Sequence, residues 1–96
     1  MVIQGNTSGS IATVPFNIPC KIISGYFTNK TGGNIVLNVY VATGGGNNRS
    51  LSPLNLTMLL GVQFIINEEV ILSAGMYLII VASGSVDYYL SVKPTN

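Results

Sequence analysis

The sequence contains no histidine and no tryptophan, and only three of its residues are acidic. Without histidine, neither a Ser-His-Asp nor a Cys-His arrangement for nucleophilic catalysis can form. The acidic residues are Glu68, Glu69 and Asp87. Glu68 and Glu69 are adjacent, so in an extended strand their side chains point to opposite faces and cannot act as a paired acid and base. We therefore expect no catalytic residue and no enzymatic activity.

A single cysteine, Cys20, excludes an intrachain disulfide. It cannot build a zinc site because the other cysteine or histidine ligands are missing, and we expect it to pack as a small hydrophobic side chain. Calcium would have to use Asp87 with loop carbonyls, although calcium sites usually recruit more than one carboxylate. The stretch "ATGGGNN" at 42–48 lacks the Gly-Lys-Ser/Thr ending of a Walker loop. We expect no metal and no cofactor.

Charge of both signs is scarce, since 7% of the residues are charged and the formal net charge is +1. The basic residues are scattered rather than clustered, at Lys21, Lys30, Arg49 and Lys93. Binding to a phosphate backbone requires several lysines or arginines acting together, so we expect no nucleic-acid partner. Sparse charge also gives little repulsion between copies of the chain, which favours an assembled state.

Long apolar runs are missing as well. The longest is "MYLIIVA" at 76–82, far shorter than the roughly 18 to 20 residues of a membrane helix, so we expect no membrane partner. The first ten residues, "MVIQGNTSGS", lack the basic segment and the apolar core of a secretory signal, which predicts synthesis in a cytoplasm without export. Their polar, glycine-rich composition predicts a flexible or partner-bound arm over 1–10.

What the sequence does contain is a regular alternation of apolar and polar residues between glycine-rich turns. In "IVLNVYVA", Ile35, Leu37, Val39 and Val41 fall on one face, as in a half-buried strand, and "VDYYLSV" at 86–92 alternates in the same way. These patterns predict one all-β domain over 1–96, a two-layer antiparallel β-sandwich of about seven or eight strands with a jelly-roll or immunoglobulin-like topology. Further strands are predicted within 11–16, 21–28, 54–60, 62–66 and 69–72.

The run "MYLIIVA" departs from this alternation because both of its faces are apolar. Its alternate side chains are Met76, Leu78 and Ile80 on one face, and Tyr77, Ile79 and Val81 on the other. One face can contact the core of a sandwich. The other must then be covered by a loop or by another subunit.

The tyrosines suggest where such a contact forms, because exposed aromatic rings anchor protein interfaces or stack on sugar rings. We predict a subunit interface that includes Tyr40, Tyr77, Ile79, Val81 and Tyr89. The alternative is a small carbohydrate-binding β-sandwich module, in which a glycan contacts these tyrosines and the glycine-rich loop at 42–53. Loops often carry recognition, and the candidate residues of this loop are Gly44, Gly45, Gly46, Asn47, Asn48 and Arg49.

Two stretches carry a resemblance to a known family. The first, "CKIISGYFTNKTGGNIVLNVYV" at 20–41, is similar to the family's unit of a strand, an Asn-Thr-Gly turn and a second strand. The second, "EEVILSAGMYLIIVASGSVDYYLSV" at 68–92, is similar to its pattern of a strand, a Leu-x-Ala-Gly turn and two further strands joined by Ser-Gly. On these residues the chain resembles the small β-sandwich virion proteins of tailed bacteriophages, which serve as head decoration, head-fibre, and neck or tail accessory subunits. Met76 departs from the family pattern, which often has aspartate after the Ala-Gly turn.

The resemblance implies a non-enzymatic structural protein of the virion, made in the host cytoplasm, that acts by self-assembly and by docking on other virion proteins. It also implies a homo-oligomer, with a trimer as the first expectation. Symmetric self-association would cover the second apolar face of "MYLIIVA".

Overall fold

The fold is all-β. The computed structural model describes residues 1–7, 11–43 and 48–95, which contain ten strands and no helix. Within these ranges there is accordingly no helix of the length and apolar character needed to cross a membrane. The strands are β1 (Val2–Thr7), β2 (Ile11–Pro15), β3 (Cys20–Asn29), β4 (Ile35–Ala42), β5 (Asn48–Ser50), β6 (Leu56–Met58), β7 (Gln63–Ile66), β8 (Val70–Leu72), β9 (Tyr77–Ala82) and β10 (Val86–Pro94).

These strands form two antiparallel sheets. Sheet 1 has the order β1-β10-β3-β7, and β8 pairs with the part of β3 that precedes the segment paired with β7. Sheet 2 has the order β2-β9-β4-β5, and β6 pairs with the first part of β4. Each sheet therefore has four strand positions, and the last position is divided between two short strands.

The order of pairing identifies the topology as a jelly roll. β1 pairs with β10, β2 with β9, β3 with β7 and β8, and β4 with β5 and β6. This is the pairing of one long antiparallel hairpin, rolled up so that β10 also pairs with β3 and β9 with β4. In an immunoglobulin-like sandwich the first strand pairs with the second instead. Of the two topologies that the sequence allowed, the structure has the jelly roll.

One hydrophobic core fills the space between the sheets. On β4, and on β10 apart from the half-buried Tyr88, alternate side chains are buried, as the sequence predicted. Both sheets contribute to a single cluster of buried side chains, so the predicted two-layer sandwich is confirmed. The cluster consists of Val14, Phe16, Cys20, Ile22, Phe27, Ile35, Leu37, Val39, Val41, Met58, Ile66, Leu72, Leu78, Ile80, Ala82, Val86, Leu90 and Val92.

Strand β9 is apolar on both faces, but the core covers only one of them. Leu78 and Ile80 point inward and are fully buried. Tyr77, Ile79 and Val81 point to the opposite face, where Tyr77 is exposed and the other two are half-buried. The sandwich alone therefore leaves the outer face of β9 partly open to solvent.

The buried side chain of Asn29 ties the two sheets together. It lies at the end of β3 in sheet 1, and its amide donates to the carbonyl oxygen of Met58, at the end of β6 in sheet 2, over 3.1 Å. The same amide donates to the carbonyl of Gly33, and Asn29 Oδ1 accepts hydrogen bonds from the amide and the hydroxyl of Thr31. An unsatisfied buried polar group costs about 1–3 kcal/mol. These bonds satisfy Asn29 and fix the turn that follows it.

One edge of each sheet is interrupted between its two short strands. Between β5 and β6, the hydroxyl of Ser52 accepts a hydrogen bond from the amide of Val39 in place of a continuous ladder. Between β7 and β8, residues 67–69 leave the edge of sheet 1, and Glu69 forms an ion pair with Lys21 at 2.6 Å. Short edge strands and nearby charges limit edge-to-edge pairing between molecules.

Three sequence-based expectations differ from the structure. Residues 2–7 form β1 at an edge of sheet 1, paired along their whole length with β10, whereas the sequence predicted an arm over 1–10. Its polar composition was misleading because an edge strand buries little: in β1, Thr7 is buried and Ile3 packs half-buried against the core. The predicted loop at 42–53 contains β5. The described residues form ten strands rather than seven or eight, because one edge of each sheet is divided.

Gly25 on β3 provides a test of the core. A Cβ added at Gly25 would collide with the side chain of Leu90, which is fully buried. Overpacking a well-packed core costs roughly 1–3 kcal/mol, so we expect Gly25→Ala to lower the free energy of unfolding in urea by about that amount. Gly32→Ala is the matched control, because a Cβ there meets no atom within 4 Å. Equal stability of the two variants would contradict the inward position of Gly25.

The ion pair between Lys21 and Glu69 predicts a pH dependence. The hydrogen bond and the charge of Lys21 lower the pKa of the Glu69 carboxyl from its ordinary value. A carboxyl with a lowered pKa in the folded state stabilises the fold above its ordinary pKa, and this contribution disappears as the pH falls through the lowered value. We expect Glu69→Gln to be slightly less stable than the unmodified chain at neutral pH, as for other exposed pairs, and equally stable in acid.

Urea denaturation at the two pH values measures this difference. Glu68→Gln is the control, because the described residues show no ion pair at Glu68. A stability difference for Glu69→Gln that persists unchanged in acid would show that the loss comes from packing and not from the ion pair.

Candidate functional site

The outer face of sheet 2 is uncharged. We define this face by the outward side chains of β2, β4, β6 and β9 whose surroundings are described. Around Ile79, the register places Thr13 of β2 on one side and Tyr40 of β4 on the other. Its members are Thr13, Pro15, Val36, Asn38, Tyr40, Ala42, Thr57, Tyr77, Ile79 and Val81.

Four of the five residues predicted to form an interface lie together on this face. Tyr40 and Ile79 are direct cross-strand neighbours, and Tyr77 and Val81 flank Ile79 along β9. Tyr77 is 37% exposed and Val36, on the adjacent strand, is 39% exposed. Tyr89 does not belong to the group, because it lies on β10 in the other sheet. The five residues therefore cannot form one continuous surface.

The charged side chains are concentrated on the other sheet. Lys21, Asp87 and Lys93 lie on strands of sheet 1, and Lys30 follows the end of β3. Glu68 and Glu69 lie in the interruption between β7 and β8 of the same sheet. Arg49 is the exception, because it lies in β5, at the edge of sheet 2. Its register partner is the inward-facing Val41, so Arg49 lies on the opposite side of the sheet from Tyr40 and Ile79. This segregation was not evident from the scattered positions of the charges in the sequence.

A second set of exposed apolar side chains lies at the divided edge of the sandwich. Leu59 and Leu60 are exposed in the turn between β6 and β7, and Ile65 and Ile71 are exposed on the edge strands β7 and β8. Ile71 is the most exposed of these, at 76%. Unlike the outer face of sheet 2, this edge has charged neighbours, because Ile71 pairs with Lys21.

The outer face of sheet 1 contains a cleft of about 590 Å³. The side chains of Tyr89 of β10 and Tyr26 of β3 line it. Their rings stack, with centroids 5.3 Å apart and an angle of 12° between the ring planes. The cleft was not predicted, because only the register between β1, β10 and β3 brings these side chains together. The residues that line it are Gln4, Gly5, Asn6, Tyr26, Thr28, Lys30, Asp87, Tyr88 and Tyr89.

Hydrogen bonds and an ion pair fix the positions of the polar side chains in the cleft. Asp87 accepts a hydrogen bond from the Asn6 amide at 2.6 Å, and this amide also donates to the hydroxyl of Ser85. Lys30 Nζ lies 3.8 Å from the other carboxylate oxygen of Asp87. Thr28 accepts a hydrogen bond from the Gln63 side chain at 2.9 Å. The cleft thus combines aromatic surface with an ordered set of donors and acceptors.

Most of the recognition residues predicted in the glycine-rich loop lie outside the described part of the chain. Of the candidate recognition residues, Gly44, Gly45, Gly46 and Asn47 lie outside the described residues. Asn48 and Arg49 belong to β5, where Arg49 is exposed.

Two other sequence-based candidates for chemistry, Cys20 and Glu69, have structural roles. Cys20 is fully buried in the core, and this burial raises the pKa of its thiol. Glu69 is engaged with Lys21. Among the described residues, no group of three or more cysteine, aspartate or glutamate side chains is placed to hold a metal ion.

Comparison with known proteins gives a fold but no family. No family model and no curated protein matches the chain. Among solved structures, the chain is similar to a chain of the structure of infectious bursal disease virus, Gx strain, with a TM-score of 0.53 and 11% sequence identity. The similarity covers 98% of this chain and 31% of the viral chain, so this chain spans less than a third of the viral one. At this identity, the likeness shows that the two share a β-sandwich fold.

Proposed function

We propose that the chain is a non-enzymatic structural subunit of a bacteriophage virion, which assembles with copies of itself through the outer face of sheet 2 and docks on other virion proteins. The single observation that carries the proposal is the uncharged outer face of sheet 2, centred on Ile79 of a strand that is apolar on both sides. The cores of protein interfaces are depleted in charged residues and enriched in aromatic ones. Tyr40 and Tyr77 provide that aromatic surface.

The distribution of charge supports assembly through the outer face of sheet 2. A chain with a net charge of +1 has little long-range repulsion to overcome when it associates. Its charged side chains lie mostly on sheet 1 and at the edges, where they keep the free surface hydrated. Copies that bury the outer face of sheet 2 against one another around a shared axis would cover apolar and uncharged polar groups and would bury none of these charges.

Two likenesses support the virion role. The fold resembles part of a chain from the structure of a virus, and jelly rolls are frequent in viral capsids. The strand and turn units at 20–41 and 68–92 resemble those of small virion proteins of tailed bacteriophages. That resemblance is the basis for proposing a bacteriophage subunit that decorates the head or serves at the neck or tail, and for proposing a trimer or a higher oligomer.

A charge placed at the centre of the outer face should prevent assembly. We expect Ile79→Lys to give a folded protomer of 10.1 kDa with reduced solubility, because a buried ammonium group without a partner disfavours the interface. Sedimentation velocity measures the change in mass, and far-ultraviolet circular dichroism verifies the fold. Thr13→Lys, at the exposed neighbour of Ile79, should have the same effect without altering the half-buried side chain.

Ile71→Lys is the matched control. It makes the same chemical change at an exposed isoleucine of sheet 1 and should leave the assembly intact. If Ile79→Lys and Thr13→Lys both sediment as the unmodified chain does, the outer face of sheet 2 is not the interface.

Incorporation into a virion is tested by mass spectrometry of purified particles from the virus that encodes the chain. We expect its peptides in the particles at a stoichiometry of many copies. Their presence in the lysate of infected cells but not in the purified particles would contradict the virion role.

A further inference from the structure

The cleft on the outer face of sheet 1 is separate from the proposed assembly surface. The two lie on opposite outer faces of the sandwich, because β10 and β3 belong to sheet 1 whereas β9 and β4 belong to sheet 2. Its volume of about 590 Å³ falls within the range of roughly 300–1,000 Å³ that is usual for sites that bind small molecules. Assembly through sheet 2 would leave the cleft open.

Two rows of outward side chains cross sheet 1 from β1 to β7, and the cleft lies over the part of both rows on β1, β10 and β3. The first row pairs Gln4 with Tyr89, Tyr89 with Tyr26, and Tyr26 with Ile65. The second pairs Asn6 with Asp87, Asp87 with Thr28, and Thr28 with Gln63. The rows are two residues apart along each strand, which corresponds to about 7 Å. A ligand the size of one or two sugar rings can therefore contact the tyrosines and reach the polar row at the same time.

The chemistry of the two rows matches a saccharide. Sugar rings have apolar faces formed by C–H groups, which pack on aromatic rings, and hydroxyls that both donate and accept hydrogen bonds. Asp87 offers acceptors, Lys30 offers donors, and the side-chain amide of Gln4 offers both. The hydroxyls of Tyr26 and Tyr89 have no hydrogen-bond partner among the described residues.

The cleft is also pre-organised and balanced in charge. Stacking of Tyr26 on Tyr89 restrains both rings, and the hydrogen bond from Asn6 restrains Asp87, so a ligand would have little side-chain entropy to remove on binding. The single positive charge of Lys30 lies beside the single negative charge of Asp87. This neutral balance favours an uncharged ligand over a phosphate, a sialic acid or a basic peptide.

We propose that this cleft binds a neutral saccharide, which packs on the aromatic surface that the mutual stacking of Tyr26 and Tyr89 leaves free. Asp87 and Lys30 are the hydrogen-bonding partners of its hydroxyls. The proposal moves the sugar contact away from the glycine-rich loop and from Tyr40, where the sequence suggested it. It is independent of the assembly surface, since it shares no residue with the outer face of sheet 2.

The test uses the full chain and a panel of neutral saccharides, namely maltotriose, cellotriose, lactose, mannotriose and chitotriose. Binding is followed by chemical-shift changes in ¹⁵N-labelled protein. We expect at least one saccharide to shift the amides of β1, β3 and β10 around the cleft, with no change at β9 and β4.

Variants separate the cleft from other surfaces. Tyr89→Ala and Tyr26→Ala should weaken binding of that saccharide by about tenfold or more, as expected when an aromatic anchor is removed. Tyr89→Phe should retain most of the affinity, because it keeps the ring. Tyr40→Ala is the matched control on the opposite face and should bind as the unmodified chain does.

The binding results for these variants decide whether the saccharide proposal holds. Binding that is lost with Tyr89→Ala and kept with Tyr40→Ala supports the proposal. Shifts that map to β4 and β9, or equal affinity in Tyr89→Ala, Tyr26→Ala and the unmodified chain, overturn it. No shift with any saccharide of the panel also overturns it, while leaving the assembly through sheet 2 unaffected.

Discussion

Strand β9 is apolar on both faces, and one sandwich can bury only one of them. The jelly roll uses the inner face, where Leu78 and Ile80 are fully buried between the sheets. The outer face remains beside Tyr40 and Thr13 with Ile79 half-buried at its centre. With so few charges on the chain, little electrostatic repulsion opposes contact between this face and a second molecule. The proposed assembly follows from this constraint.

The two outer faces of the sandwich therefore differ in chemistry. Sheet 2 presents uncharged side chains, whereas Lys21, Lys30, Asp87 and Lys93 are associated with sheet 1. The proposed subunit role would use this division, with one surface buried against neighbouring copies and another facing solvent or a ligand. The jelly roll provides it directly, since alternate positions on a strand alternate between core and outer face. The saccharide cleft occupies the face that assembly would leave free.

The alternation of apolar residues was sufficient to predict the fold class and most strands. β4 has the predicted bounds, and the outward position of Tyr77, Ile79 and Val81 was correctly read from their spacing. The edge strands were harder, because β1 buries only Thr7 and part of Ile3, and Arg49 and Ser50 of β5 are exposed. Neither strand therefore has a clear apolar period. The cleft could not be predicted at all. Asn6 and Asp87 meet across β1 and β10, which are separated by almost the whole chain, and no local pattern encodes that register.

The mass of the unmodified chain in solution tests the central claim most directly. Light scattering over about a hundredfold range of protein concentration would distinguish a stable assembly from a weak one, because mass action dissociates weak complexes on dilution. We predict a single mass of several protomers that persists on dilution. A monomer of 10.1 kDa at every concentration would contradict the account, and it would mean that the outer face of β9 stays exposed to solvent without a partner.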